Sequence, residues 1–148
     1  MSRWDRPSSN NVPDWFFKAV ETEAREKRVE VDDCDVAYRV WDGDEGPGLL
    51  FIHGMNAHSH WWDFIAPAFI RQYRVAAMDL TGMGDSDFRY EYDPATYANE
   101  IVGVLDAAGF GRVHVARGGH ERERLLGRRS RARLRGAVTW RDTSAAPP

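Results

Sequence analysis

The sequence predicts an α/β protein, a mostly parallel sheet with helices on both faces. Three observations carry that reading. Gly48-Leu49-Leu50-Phe51-Ile52 and Arg74-Val75-Ala76-Ala77-Met78 are short apolar runs without alternation, as strands buried on both faces require. A stretch with helical spacing separates them, and another leads to a third run, Arg112-Val113-His114-Val115-Ala116. The order hairpin, strand, helix, strand, helix, strand then calls for parallel strands joined by crossovers.

The elements follow in order. Asp14 is placed to cap a helix running to about Lys27, with Pro13 before it and Trp15, Phe16, Ala19, Val20 and Ala24 at helical spacing. Val29-Glu30-Val31 alternates, Asp32 to Asp35 makes a turn, and Val36 to Trp41 is the return strand of a hairpin. Gly43 to Gly48 is a loop. His58 to Tyr73 carries Trp61, Trp62, Phe64, Ile65, Phe69 and Ile70 and predicts an amphipathic helix interrupted at Pro67. Gly82 to Tyr92 is loop. Pro94 opens a helix whose apolar face holds Tyr97, Ile101, Val104, Leu105 and Ala108, and Gly109 is placed to stop it.

The 148 residues have room for one ordinary domain. A single cysteine, Cys34, excludes an internal disulfide and reads as a structural thiol. The polar stretch Met1 to Asn11 has no apolar core of a signal peptide, and no run of 18 apolar residues exists. The expectation is therefore a cytoplasmic protein with no membrane partner.

The composition breaks at about Ala116. Residues 117–148 hold nine Arg (117, 122, 124, 128, 129, 131, 133, 135 and 141), no Lys, and three acids, Glu121, Glu123 and Asp142. Nine against three leaves the tail at +6, and the total of −3 then leaves −9 on the rest. Two readings of the tail stand side by side. A basic cluster attracts nucleic acid or another anionic partner. Against that, only Trp140 interleaves with the Arg residues, and no binding fold is visible. Abundant Arg without Lys, beginning abruptly, is also what a reading-frame shift in GC-rich coding DNA produces. The second reading is favoured, and nucleic acid is not the expected partner.

In open α/β sheets, ligands sit off the carboxyl ends of the strands. Two such ends carry unusual text. His53-Gly54-Met55-Asn56, with Trp61-Trp62 further on, follows the first buried strand. Asp79-Leu80-Thr81-Gly82-Met83-Gly84-Asp85-Ser86 follows the second. From these residues alone, Gly54-Met55 is either an oxyanion hole, with a backbone N–H aimed at developing negative charge, or a tight turn without chemistry.

A buried strand ending in His-Gly, a Trp some eight residues on, and Asp-x-x-Gly-x-Gly-x-Ser after the next strand resemble the α/β-hydrolase superfamily. The resemblance covers about Val29 to Ala116. It is closest to the group of esterases, epoxide hydrolases, haloalkane dehalogenases and carbon–carbon bond hydrolases. It implies the N-terminal half of such a sheet, a hairpin plus three parallel strands with flanking helices. It also implies that Met55 supplies a backbone oxyanion donor, and that His53, Gly54, Asp79, Gly82, Gly84 and Ser86 shape and brace the site. Ser86 has no adjacent base to activate it.

The resemblance further implies a nucleophile elbow, Gly-x-nucleophile-x-Gly, directly after Ala116. The strained turn demands very small flanking residues. Arg117-Gly118-Gly119-His120-Glu121-Arg122-Glu123 stands there instead. Glu121 fits the first half of an elbow with a carboxylate nucleophile, but Glu123 fills the second small position. Ser130 and Ser144 lack the frame. The later acid and histidine are missing as well, because His120 precedes Asp142 and the order is wrong. His58 and His60 have no third ligand at usable spacing, so no metal is expected, nor any cofactor.

The expectations are then three segments: a helical extension over 1–28, half a hydrolase domain over 29–116, and an Arg-rich tail over 117–148. No catalytic residue and no small-molecule turnover are expected of these residues. Arg112–Ala116 is expected to leave an open sheet edge that favours self-association and dye binding, with short Ala137-Val138-Thr139-Trp140 the only candidate for a replacement strand.

Overall fold

A computed structural model describes residues 12–43, 45–118 and 138–142. The readings of His120, Glu121, Glu123, Ser130 and Ser144 concern residues outside these. The elements are α1 (Asp14–Glu21), β1 (Arg25–Val31), β2 (Cys34–Trp41), β3 (Gly48–Ile52), β4 (Arg74–Met78), α2 (Pro94–Ala107), β5 (Val113–Arg117) and β6 (Val138–Asp142). Two 3-10 turns, Ser59–Trp62 and Ala66–Phe69, lie between β3 and β4. The sheet order is β1-β2-β4-β3-β5-β6. β3, β4, β5 and β6 are parallel to their neighbours in that set, while β2 is antiparallel to both β1 and β4.

The apolar runs behave as expected because both faces of the sheet are covered. On β3, Leu50 and Ile52 join Val36, Met78, Ile101, Val104 and Val115 on the face packed by α2. Leu49 and Phe51 point the other way and join Trp41, Trp62, Ala66, Val75 and Ala77. Every residue of β3 is buried.

Four expectations are corrected. The first helix ends at Glu21, not near Lys27. Thr22 is extended, and Arg25 to Arg28 are drawn into β1 by pairing with Val40 to Ala37. This pairing outweighs their local helix preference. The hairpin turn shrinks to Asp32 and Asp33, at φ 50° and 60°, the left-handed pair that a two-residue hairpin turn demands.

The stretch from His58 to Tyr73 forms 3-10 turns rather than a broken α-helix. Ser59 and Trp62 are buried three residues apart, the repeat of a 3-10 turn. The Ser59 N–H is drawn to the Asp79 carboxylate, 2.5 Å away. Finally, β5 is not an open edge. β6 pairs with it in parallel, Val113 opposite Val138 through Arg117 opposite Asp142. The terminal strands of the sheet are β1 and β6.

Candidate functional site

The carboxyl ends of β3, β4 and β5 come together, and hydrogen bonds from residues far apart in sequence join them. His53, immediately after β3, is 1% exposed. Its Nε2 accepts the Leu80 N–H at 3.1 Å, so the neutral ring carries its proton on Nδ1. Nδ1 lies 2.7 Å from the Gly54 carbonyl and donates to it. Burial holds the imidazole below its usual range, against a backbone hydrogen bond and the Asp79 charge, which pull the other way. His53 thus fastens the turn after β3 to the loop after β4.

Asp79 is the second fastener. Its Oδ1 accepts Ser59 N–H and its Oδ2 accepts Asp85 N–H at 3.0 Å. Its carbonyl accepts the Ser86 hydroxyl at 2.6 Å, and the Ser86 Oγ accepts Ala37 N–H from β2 at 2.7 Å. Ser86 is therefore committed to two backbone groups. Gly84 sits at φ +57°, and a Cβ there would run into the Asp79 carboxyl group. Gly82, at φ +83°, lies beneath Tyr92, whose hydroxyl would stand 2.6 Å from a Cβ. Both positions need glycine for conformation and for space.

The Gly54-Met55 turn faces the end of β5. Gly118 N–H donates to the Ile52 carbonyl at 2.9 Å. A Cβ on Gly118 would lie 3.6 Å from both the Gly54 nitrogen and the Trp62 ring. Asn56, at φ +59°, turns the chain away, and Ala57 N–H closes the turn onto the Gly54 carbonyl at 3.3 Å. The Met55 side chain is exposed. Its N–H makes no hydrogen bond to any described residue. Trp62, also beside Gly118, stacks on Phe51 with ring centroids 4.7 Å apart.

All seven site residues named from the sequence thus fall at one end of the sheet. A further network went unread. Glu100 on α2, fully buried, accepts from Thr81 N–H at 3.0 Å, from the Thr81 hydroxyl, and from Arg89 Nε at 2.9 Å. Arg89 also donates to the carbonyls of Val31 and Asp32, at 2.6 and 2.9 Å. The signal was available: Glu100 lies between Tyr97 and Ile101 on the apolar face of its helix, where a carboxylate needs partners. Among the described residues, no group of three or more His, Cys, Asp or Glu could hold a metal ion. Among them also, no helix is long and apolar enough to cross a membrane.

A mixed sheet with its glycine turns gathered at the carboxyl ends of the parallel strands defines an open α/β scaffold, the kind that binds ligands at that end. Comparison with known proteins makes the class specific. Residues 47–118 match the family model described as alpha/beta hydrolase fold. The chain is 32% identical over 113 residues to a fluoroacetate dehalogenase from Burkholderia sp, covering 72% of this chain and 36% of that protein. It is 32% identical over 122 residues to a non-heme chloroperoxidase from Streptomyces lividans, covering 79% and 43%. Among solved structures, a bacterial membrane phospholipase A superposes with a TM-score of 0.59 at 35% identity, over 65% of this chain and 32% of that one. The chain belongs to the α/β-hydrolase superfamily and spans less than half the length of these relatives.

Proposed function

We propose that this chain carries the N-terminal half of a hydrolase site for small organic substrates, with esters, epoxides, halides or activated carbon–carbon bonds as the substrate classes. In this reading Met55 N–H is one oxyanion donor. His53, Gly54, Asp79, Gly82, Gly84 and Ser86 hold the two loops that present it. The observation that carries the reading is the seam between Gly54 and Gly118. A nucleophile elbow beginning after β5 would rise directly beside the Met55 peptide.

The same position argues that these 148 residues are inactive as they stand. The family match stops at residue 118, and the residues that follow do not spell an elbow. A partial oxyanion hole without nucleophile, base and acid performs no acyl or alkyl transfer. The division into a 1–28 extension, a 29–116 half-domain and a 117–148 tail of frame-shifted origin belongs to this proposal. The competing reading, a non-catalytic module that binds anionic partners through its tail, rests on charge alone. It predicts nucleic-acid affinity that falls steeply with salt.

Activity is the direct test. The purified chain is expected to turn over p-nitrophenyl acetate and butyrate no faster than a heat-treated control. Saturable turnover that disappears in Glu121→Gln would overturn the proposal and make Glu121 a nucleophile. Reading the coding DNA beyond codon 116 in all three frames tests the origin of the tail. An elbow in another frame is the expected result.

A further inference from the structure

We infer that His53 is a positioning residue that sets the direction of the Met55 N–H, acting through the Gly54–Met55 peptide. The inference rests on the proposal that Met55 N–H is an oxyanion donor, and it names what aims that donor.

The argument is geometric. A trans peptide is planar, and its carbonyl and N–H point in opposite directions. The Gly54 carbonyl and the Met55 N–H belong to one such plane. His53 Nδ1–H donates to that carbonyl at 2.7 Å, so the Met55 N–H must point away from the imidazole. Ala57 N–H supports the same carbonyl with a longer bond of 3.3 Å. Glycine at 54 would otherwise let the plane rotate, since it adopts more backbone conformations than any other residue.

The ring cannot swing freely. It is 1% exposed, and its Nε2 is held by the Leu80 N–H. Leu80 in turn follows Asp79, whose carboxylate is fixed by Ser59 and Asp85. The direction of the Met55 N–H is thus set by the loop after β4, across 27 residues of sequence. A donor fixed in advance pays no reorganisation cost when charge develops beside it.

Protonation gives a handle on this link. The titratable groups whose charge acts on the ring are Asp79 and His58. A second proton on Nε2 turns an acceptor toward the Leu80 N–H into a donor and breaks that bond. The Nδ1–H bond to Gly54 remains, but the ring that carries it loses its anchor.

Solution NMR on the ¹⁵N-labelled full chain tests the inference in two arms. In the first, the pH is lowered through the imidazole range. The Leu80 and Met55 amide resonances are expected to move together, with the titration midpoint of the His53 ring nitrogens. Movement of Leu80 alone overturns the positioning role, and this arm needs no variant. In the second, sodium acetate is titrated at neutral pH. The Met55 amide is expected to shift saturably, with an affinity about tenfold weaker in His53→Phe, the loss of one net hydrogen bond, and largely restored in His53→Gln. A wild-type Met55 amide that ignores acetate while still following His53 overturns the donor reading alone. Equal acetate affinity in wild type and His53→Phe overturns the positioning role alone.

Discussion

Glu100 shows what a single residue holds here. Its carboxylate has no solvent exposure and binds Thr81 and Arg89, so it ties α2 to the loop after β4. Through Arg89 the tie reaches the carbonyls of Val31 and Asp32 at the hairpin turn. Removing one partner of a buried pair leaves the other charge uncompensated, at a cost of about 3–5 kcal/mol. Glu100→Ala is expected to lose that much in urea denaturation. Glu100→Gln, which keeps an acceptor for Thr81 N–H, is expected to lose less. Equal stability of Glu100→Ala and wild type would show that the pair contributes nothing.

At the same scale, His53 predicts a pH dependence. Burial lowers its pKa in the folded state below the ordinary 6.5. Between the two values the unfolded chain binds a proton that the folded chain refuses. The contribution is therefore fully present above 6.5 and is lost as pH falls through the folded-state value. Stability measured by urea titration is expected to decline in wild type as pH falls from 6.5 to the folded-state value, and to decline less in His53→Gln. An identical slope in both proteins would assign the decline to other groups.

At the scale of elements, the 3-10 turns and β6 decide how well the sheet is covered. Trp62, the last residue of the first turn, is stacked on Phe51 and 4% exposed. Trp62→Ala is expected to cost about 3–5 kcal/mol, as large aromatic truncations in cores do. Trp62→Phe retains the ring contact and removes a buried indole N–H that has no partner among the described residues. Its melting temperature is expected to stay much closer to wild type. β6 matters for a different reason: it supplies the backbone partners that β5 would otherwise lack. Trp140→Pro removes a backbone donor from the middle of β6 and fixes φ there. Greater binding of the dye ANS and concentration-dependent association are expected. Dye binding and association no greater than those of wild type would mean that β5 needs no such partner.

At the scale of the whole molecule, one sheet carries two covered faces within a chain that spans 36% and 43% of the two relatives compared. Intact domains are stable by only about 5–15 kcal/mol. Removal of the Glu100 pair or of the Trp62 ring therefore uses up a large share of what holds the chain together.

Much of this was legible without coordinates. The continuous apolar runs at Gly48–Ile52 and Arg74–Met78 identified buried strands, because only strands covered on both faces dispense with alternation. His53-Gly54 and the Asp79 to Ser86 loop were readable because glycine marks positions where a side chain does not fit, a property of the local backbone. The length of β1, the 3-10 turns, the place of β6 and the Glu100 network were not. Each depends on partners far along the chain: Arg25 with Val40, Ser59 with Asp79, Val113 with Val138, and Arg89 with Val31. Sequence alone determined the class of sheet and which of its ends gathers the glycine turns, since those follow from local pattern and sterics. Tertiary structure alone decided which backbone groups pair across the chain and which way the Gly54–Met55 peptide points, since a hydrogen bond is settled only when both its partners are in place.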